Sequence, residues 1–121
     1  MSKNYIQPGK VIDFANSTGS TVSSGDVVVI GEQIGVAEVD IAHDDTGSVS
    51  VEGVFNVPKV PAAVIAQGES VMWDASASAF DDNAATPSAG DVSGCCVAFE
   101  AGANTETTIN VKLNVGIGTV A

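Results

Sequence analysis

Arginine is absent from this 121-residue chain, and lysine occurs four times against 15 acidic residues, for a formal net charge of −11. Nucleic-acid binding draws most of its affinity from Lys and Arg that neutralise phosphates. This chain would repel a phosphate backbone, and the same excess argues against anionic membrane surfaces. Long apolar runs are missing too: nothing approaches the roughly 18 residues that span a bilayer. The first eight residues hold no apolar signal-peptide core, so synthesis in a reducing cytoplasm is the expectation. Aromatics make up only 5%, which leaves Val and Ala to fill the core. A buried Val contributes only about 1.5 kcal/mol or a little more, so extra burial from partners or self-association is expected. Cysteine occurs twice, as the neighbours Cys95 and Cys96. On a strand their side chains point to opposite faces, and a disulfide between them would demand unusual backbone geometry. They read as two small apolar strand residues.

Catalytic equipment is equally sparse. The phosphate-binding pattern G-x-x-x-x-G-K-[ST] does not occur, and Gly9-Lys10 is followed by Val11, which lacks the metal-binding hydroxyl. An ATP-dependent enzyme is therefore disfavoured. The single histidine, His43, precedes Asp44-Asp45. Zinc sites normally collect three or four such ligands, so a solvated turn is the better reading. Asp81-Asp82-Asn83 lacks the rest of a calcium loop. No G-x-S-x-G elbow supports a serine nucleophile. We expect no catalytic residue, no metal and no cofactor. Trp73 reads as core, with a ligand-stacking role as the alternative.

What the chain does contain is valine strands and Gly-acid turns. Residues 26–30 read as a strand buried on both faces, on the continuous β-branched run that follows Asp26. Residues 34–41 alternate, with Ile34 and Val36 on one face and Ala37 and Ile41 on the other. Residues 48–57 show the cleanest alternation; Gly53 interrupts it, so a β-bulge is expected there. Further strands are read at 10–14, 70–74, 94–99 and 107–113. Residues 75–91, rich in Ala, Ser and Asp, read as a long surface excursion. No stretch keeps a helical period, so the fold class is all-β, a small barrel or sandwich.

The strands suggest a unit that occurs twice. The first copy reads Ser24-Gly25-Asp26-Val27-Val28-Val29-Ile30, then Ile34-Gly35-Val36-Ala37, then Val49-Ser50-Val51-Glu52. The second reads Gln67-Gly68-Glu69-Ser70-Val71-Met72-Trp73, then Gly94-Cys95-Cys96-Val97, then Ile109-Asn110-Val111-Lys112. Matches this short also arise by chance. Strand order decides between the two readings, since different orders in the two halves would end the idea of duplication. The expected layout is an extended N-terminal arm at residues 1–9, one β domain at 10–114 with the insertion at about 75–91, and a flexible tail at 115–121.

Taken in order, several blocks carry a family resemblance. They are Met1-Ser2-Lys3-Asn4-Tyr5-Ile6-Gln7-Pro8-Gly9, Ser24-Gly25-Asp26, Ile34-Gly35-Val36-Ala37 and Val51-Glu52-Gly53-Val54-Phe55-Asn56-Val57-Pro58-Lys59. Gln67-Gly68-Glu69, Trp73-Asp74, Gly94, Val97-Ala98 and Val111-Lys112-Leu113-Asn114 complete the set. The chain resembles the tailed-phage capsid cement, or decoration, proteins, some of which carry an older label as recombinases. The resemblance runs from residue 1 to about 114 and rests on the order of the blocks. It implies a small barrel-like, β-tulip-like domain on the outside of the mature capsid, a structural virion protein rather than an enzyme. It further implies a homotrimer that clamps adjacent major capsid proteins. The arm residues Lys3, Asn4, Tyr5, Ile6, Gln7 and Pro8 are then the expected capsid interface, with the arm adding as a strand to a capsid subunit. The alternative is a free-standing glycan-binding module built around Trp73 and the 75–91 segment.

Overall fold

The computed structural model describes residues 3, 4 and 6–121. Its elements are ten strands: β1 (Val11–Ala15), β2 (Val27–Ile30), β3 (Gln33–Ala37), β4 (Thr46–Ser50), β5 (Val54–Pro58), β6 (Ser70–Asp74), β7 (Ala79–Asp81), β8 (Val92–Ala98), β9 (Thr108–Lys112) and β10 (Thr119–Val120). There is no helix among the described residues, as the missing helical period predicts. The strands form two antiparallel sheets, ordered β1-β4-β3-β2 and β5-β9-β8-β6-β7, with β10 paired to β8. Neither sheet closes into a barrel. The second comes nearest, because one parallel bridge between Lys59 and Phe80 draws its two ends together.

The duplication passes its test. Replacing β1, β2, β3 and β4 by β5, β6, β8 and β9 turns the first sheet order into the second. The register matches as well. β1 meets β4 with Val11 opposite Ser50 and Ala15 opposite Thr46. β5 meets β9 with Val54 opposite Lys112 and Pro58 opposite Thr108. Val36–Ser50 and Ala37–Val49 have their counterparts in Val97–Lys112 and Ala98–Val111. Isolated bridges recur too, Val22–Ile41 in one unit and Ile65–Gly102 in the other.

The Gly-acid turns have the same construction in both units. Gly25 and Gly68 adopt φ of +91° and +82°, the region where glycine avoids a Cβ penalty. Each donates its N–H to the carbonyl of Ala37 or Ala98, at 2.8 Å. The acid that follows caps the turn: Asp26 accepts from Ser23 N–H at 2.9 Å, and Glu69 accepts from Ala66 N–H at 3.1 Å. The units differ in one place. The offset between equivalent residues rises from 43 (Val27 to Ser70) to 61 (Val36 to Val97), so unit two holds 18 extra residues between its second and third strands. These make β7 and its flanking loops.

Two cores result. The larger collects Ile34, Val36, Val57, Val71, Trp73, Phe80, Val92 and Val111, among others. The smaller holds Val22, Val28, Ala37, Ile41 and Val49. β2 separates them. Val27 and Val29 pack on the larger core, whereas Val28 belongs to the smaller one and Ile30 packs against it. A strand with an apolar neighbour on each face needs an uninterrupted apolar run, which is what residues 27–30 supply.

Three expectations change on contact with the structure. The 48–57 alternation is two strands in different sheets, with Gly53 at φ +118° carrying the crossing rather than a bulge. The bulge lies in β8 instead. Val71 faces Cys96 and Met72 faces Ser93, so Gly94 and Cys95 are extra, with Gly94 at φ +86°. The 75–91 segment is not all surface, since Ala79 and Phe80 are buried and Phe80 is 0% exposed. Residues 115–121 are tied in: β10 pairs with β8, Gly118 N–H donates to Glu32 O, and Ala121 N–H donates to Asp91 O.

Candidate functional site

Each residue that offered chemistry in the sequence is occupied with structure. His43 lies in an exposed turn, where its Nδ1 accepts from Gly19 N–H at 3.1 Å and its Nε2 lies 3.3 Å from Asp44 Oδ1. No group of three or more His, Cys, Asp or Glu among the described residues is placed to hold a metal ion. In the 81–83 loop, Asp81 accepts from Asp82 N–H and Asp82 accepts from Ala84 N–H, so both carboxylates shape the turn. Asp74 accepts the Ser76 hydroxyl at 2.8 Å and the amides of Ala77 and Ser76 at 3.2 and 3.1 Å. These bonds, the Ser76 hydroxyl foremost, hold its carboxyl below the usual value of 3.8.

The bulge explains the cysteines. On a regular strand they would face opposite ways, but the two-residue bulge turns both inward, and both are buried. Their sulfurs lie 3.4 Å apart, unbonded, with the thiols in hydrogen-bond contact. That bond and burial push the Cys96 thiol far above the usual range, which makes it a poor nucleophile. Trp73 is 7% exposed and packs edge-on against Phe80, ring centres 5.0 Å apart at 68°. It is a core residue with one edge on a cleft.

Sequence reasoning missed the polar groups buried at matching positions of the two units. Asn16 and Lys59 are 1% and 2% exposed and sit 43 residues apart, the offset of the duplication. Asn16 donates to the carbonyls of Ser20 and Ile41, 2.8 Å each. Lys59 Nζ donates to the carbonyls of Val60, Pro61 and Glu106 at 2.9, 3.1 and 3.2 Å. Each side chain satisfies loop carbonyls at the mouth of its own unit. Their alignment within the repeat is the signal that finds them. A third clamp joins the units: Asn114 donates to Ile34 O and Val51 O at 2.7 and 2.6 Å and accepts from Ile34 N–H at 3.0 Å.

Two features of the surface stand out. The first is the arm. Lys3 and Asn4 lie in a turn, Ile6 is 86% exposed, and Gln7 Nε2 donates to Val11 O at 3.1 Å. Tyr5 lies outside the described residues. The described residues of the arm are thus not a strand of the body. Gln7 and Pro8 join Lys10, Val11 and Asp13 around a shallow recess of about 360 Å³ at the start of β1. The second is a cleft of about 620 Å³ between the open edge of β2 and the β6–β7 hairpin, walled by Phe14, Val27, Val29, Trp73, Ala75 and Ser78. The described residues assemble no reactive set; they present an acidic body with an exposed Ile6 and an open strand edge.

Comparison with curated proteins finds no match. A profile of the phage cement proteins matches residues 6–113, which takes in β1 to β9 and both repeat units. The chain belongs to the phage cement protein family.

Proposed function

We propose that this protein decorates the outer surface of the mature capsid as a homotrimer and, without catalysis, clamps adjacent major capsid proteins. The match to the cement family over both repeat units carries this reading. The rest of the molecule agrees with it. The −11 charge suits a surface turned away from packaged DNA. The duplicated body offers a stiff platform, since ten strands tie it into two sheets. Ile6, on an arm that is no part of either sheet, is available to a partner.

In this proposal Lys3, Asn4, Tyr5, Ile6, Gln7 and Pro8 contact the capsid. Pro8 fixes where the arm leaves the body, and the segment before it adds to a strand of the shell. Residues 1–12 carry Lys3 and Lys10 and no acid, while residues 13–121 carry two lysines and all 15 acids. With two lysines and no acid, this stretch is not repelled by other acidic surfaces. A protein that binds only the assembled shell shifts the balance against disassembly by mass action. Co-sedimentation with emptied, expanded capsids of the source phage tests the assignment. The full chain should pellet at a fixed ratio to capsid protein, and a variant lacking residues 1–8 should stay in the supernatant. Equal binding by the truncated chain would remove the arm from the interface.

A further inference from the structure

The two repeat units treat the same strand edge differently. In unit two, β6 is covered by β7, with Met72 opposite Asp81 and Trp73 opposite Phe80. In unit one, the equivalent strand β2 is the last in its sheet. Its outward backbone groups can be assigned. Ala37 N–H donates to Asp26 O, which makes Asp26–Ala37 a hydrogen-bonded pair. In an antiparallel ladder such pairs alternate with unbonded ones. The register then makes Val28–Gly35 and Ile30–Gln33 bonded, and leaves Val27 and Val29 facing away from β3. Ile34 confirms the phase. It lies opposite Val29, and its own N–H and C=O turn away from β2 to Asn114.

The amides and carbonyls of Val27 and Val29 therefore point into the cleft, between the apolar walls of Phe14 and Trp73. Open edges are strand templates, and proteins usually blunt them with charge, proline or a covering element. Unit two uses β7; β2 carries no charge and no proline.

We infer that the β2 edge takes up an extended segment of the major capsid protein, seated as an added antiparallel strand in this cleft. This rests on the capsid reading above and gives it a second contact. A clamp needs two grips. The arm emerges at the start of β1, beside Val11, whereas the cleft meets β1 at Phe14, near its other end. Two capsid subunits can thus be held at separate places. The cleft also defines the chemistry of the segment. An apolar side chain fills the space between Phe14 and Trp73, and Asp26 on the rim together with the −11 body selects a neutral or basic segment.

Two variants test the edge by different means. Val27→Pro removes one outward N–H without breaking a ladder bond, a placement that edge strands tolerate. Ala75→Trp fills the cleft from the opposite, exposed wall and leaves β2 intact. Binding to expanded capsids is measured by co-sedimentation, with folding checked by thermal unfolding and self-association by light scattering. The inference expects both variants, or Ala75→Trp alone if Val27→Pro does not fold, to bind at least tenfold more weakly while the wild type binds at a fixed ratio. Wild-type affinity in both variants would overturn the strand-uptake site and leave the cement reading standing. No binding by the wild type would overturn both. Variants that lose self-association but keep capsid binding would assign the edge to a second copy, against the inference.

Discussion

Asn114→Ala should unlock the two repeat units from each other. Asn114 closes β9's exit against unit one through three hydrogen bonds, two to Ile34 and one to Val51, residues that are 0% and 7% exposed. Truncation leaves the N–H and C=O of Ile34 and the C=O of Val51 without that partner. An orphaned buried group costs about 1–3 kcal/mol. The partly open site admits some water, so we take about 1 kcal/mol for each of the three. Asn114 also sits at φ +52°, a region Asn tolerates and Ala enters at a cost of about 1 kcal/mol. The total is about 4 kcal/mol, and at roughly 3–5 °C per kcal/mol for a domain of this size the melting point falls by about 12–20 °C. Asn114→Gly separates the contributions, because glycine accepts the backbone angle and should recover up to about 1 kcal/mol. Urea unfolding followed by Trp73 fluorescence gives both free energies. A loss below about 1 kcal/mol for Asn114→Ala would show that the units hold together through apolar packing alone.

Other consequences are open to measurement. Lys59→Met keeps the aliphatic stem but leaves three part-buried carbonyls without their donor; a loss of about 1–3 kcal/mol in urea unfolding is expected, and a neutral result would show that water replaces the ammonium. Asp74 has its folded pKa held below the unfolded 3.8, so its contribution is present above that value and lost as pH falls through the folded pKa. The stability gap between wild type and Asp74→Asn should therefore shrink from pH 7 to pH 3, and a constant gap in urea midpoints would contradict the assignment. The Cys95–Cys96 contact raises the Cys96 thiol and lowers that of Cys95, but both are buried, so both should resist a thiol reagent at pH 8 in the folded protein. Two thiols per chain should react in denaturant, and rapid reaction of the native chain would mean that the bulge opens.

Local pattern carried much of the fold. The β-branched run at 27–30 announced a strand with apolar matter on both sides, and β2 sits between two cores. The Gly-acid pairs announced a repeat, because a positive-φ glycine followed by a capping acid is a local device with a local signature. What stayed hidden depends on distant partners. Residues 48–57 alternate with a break at Gly53, and nothing near that glycine says that the two halves join different sheets, because a bulge breaks the period in the same way. Phe80 sits in an Ala- and Asp-rich segment, and its burial depends on Trp73 and the bridge to Lys59. The inward turn of both cysteines follows from the bulge opposite Val71 and Met72, which a single strand's periodicity cannot report. The cleft beside β2 needed the two sheets to be placed against each other.

The central claim is that this protein stabilises an assembled shell, and the thermal disassembly of emptied, expanded capsids tests it most directly. Each occupied site adds about 2.7 kcal/mol when the free protein stands at a hundred times its dissociation constant, and many sites share one shell. The account predicts that capsids saturated with the full chain disassemble at a clearly higher temperature, rising with protein concentration until the sites are filled. An unchanged disassembly temperature at saturating protein would contradict it.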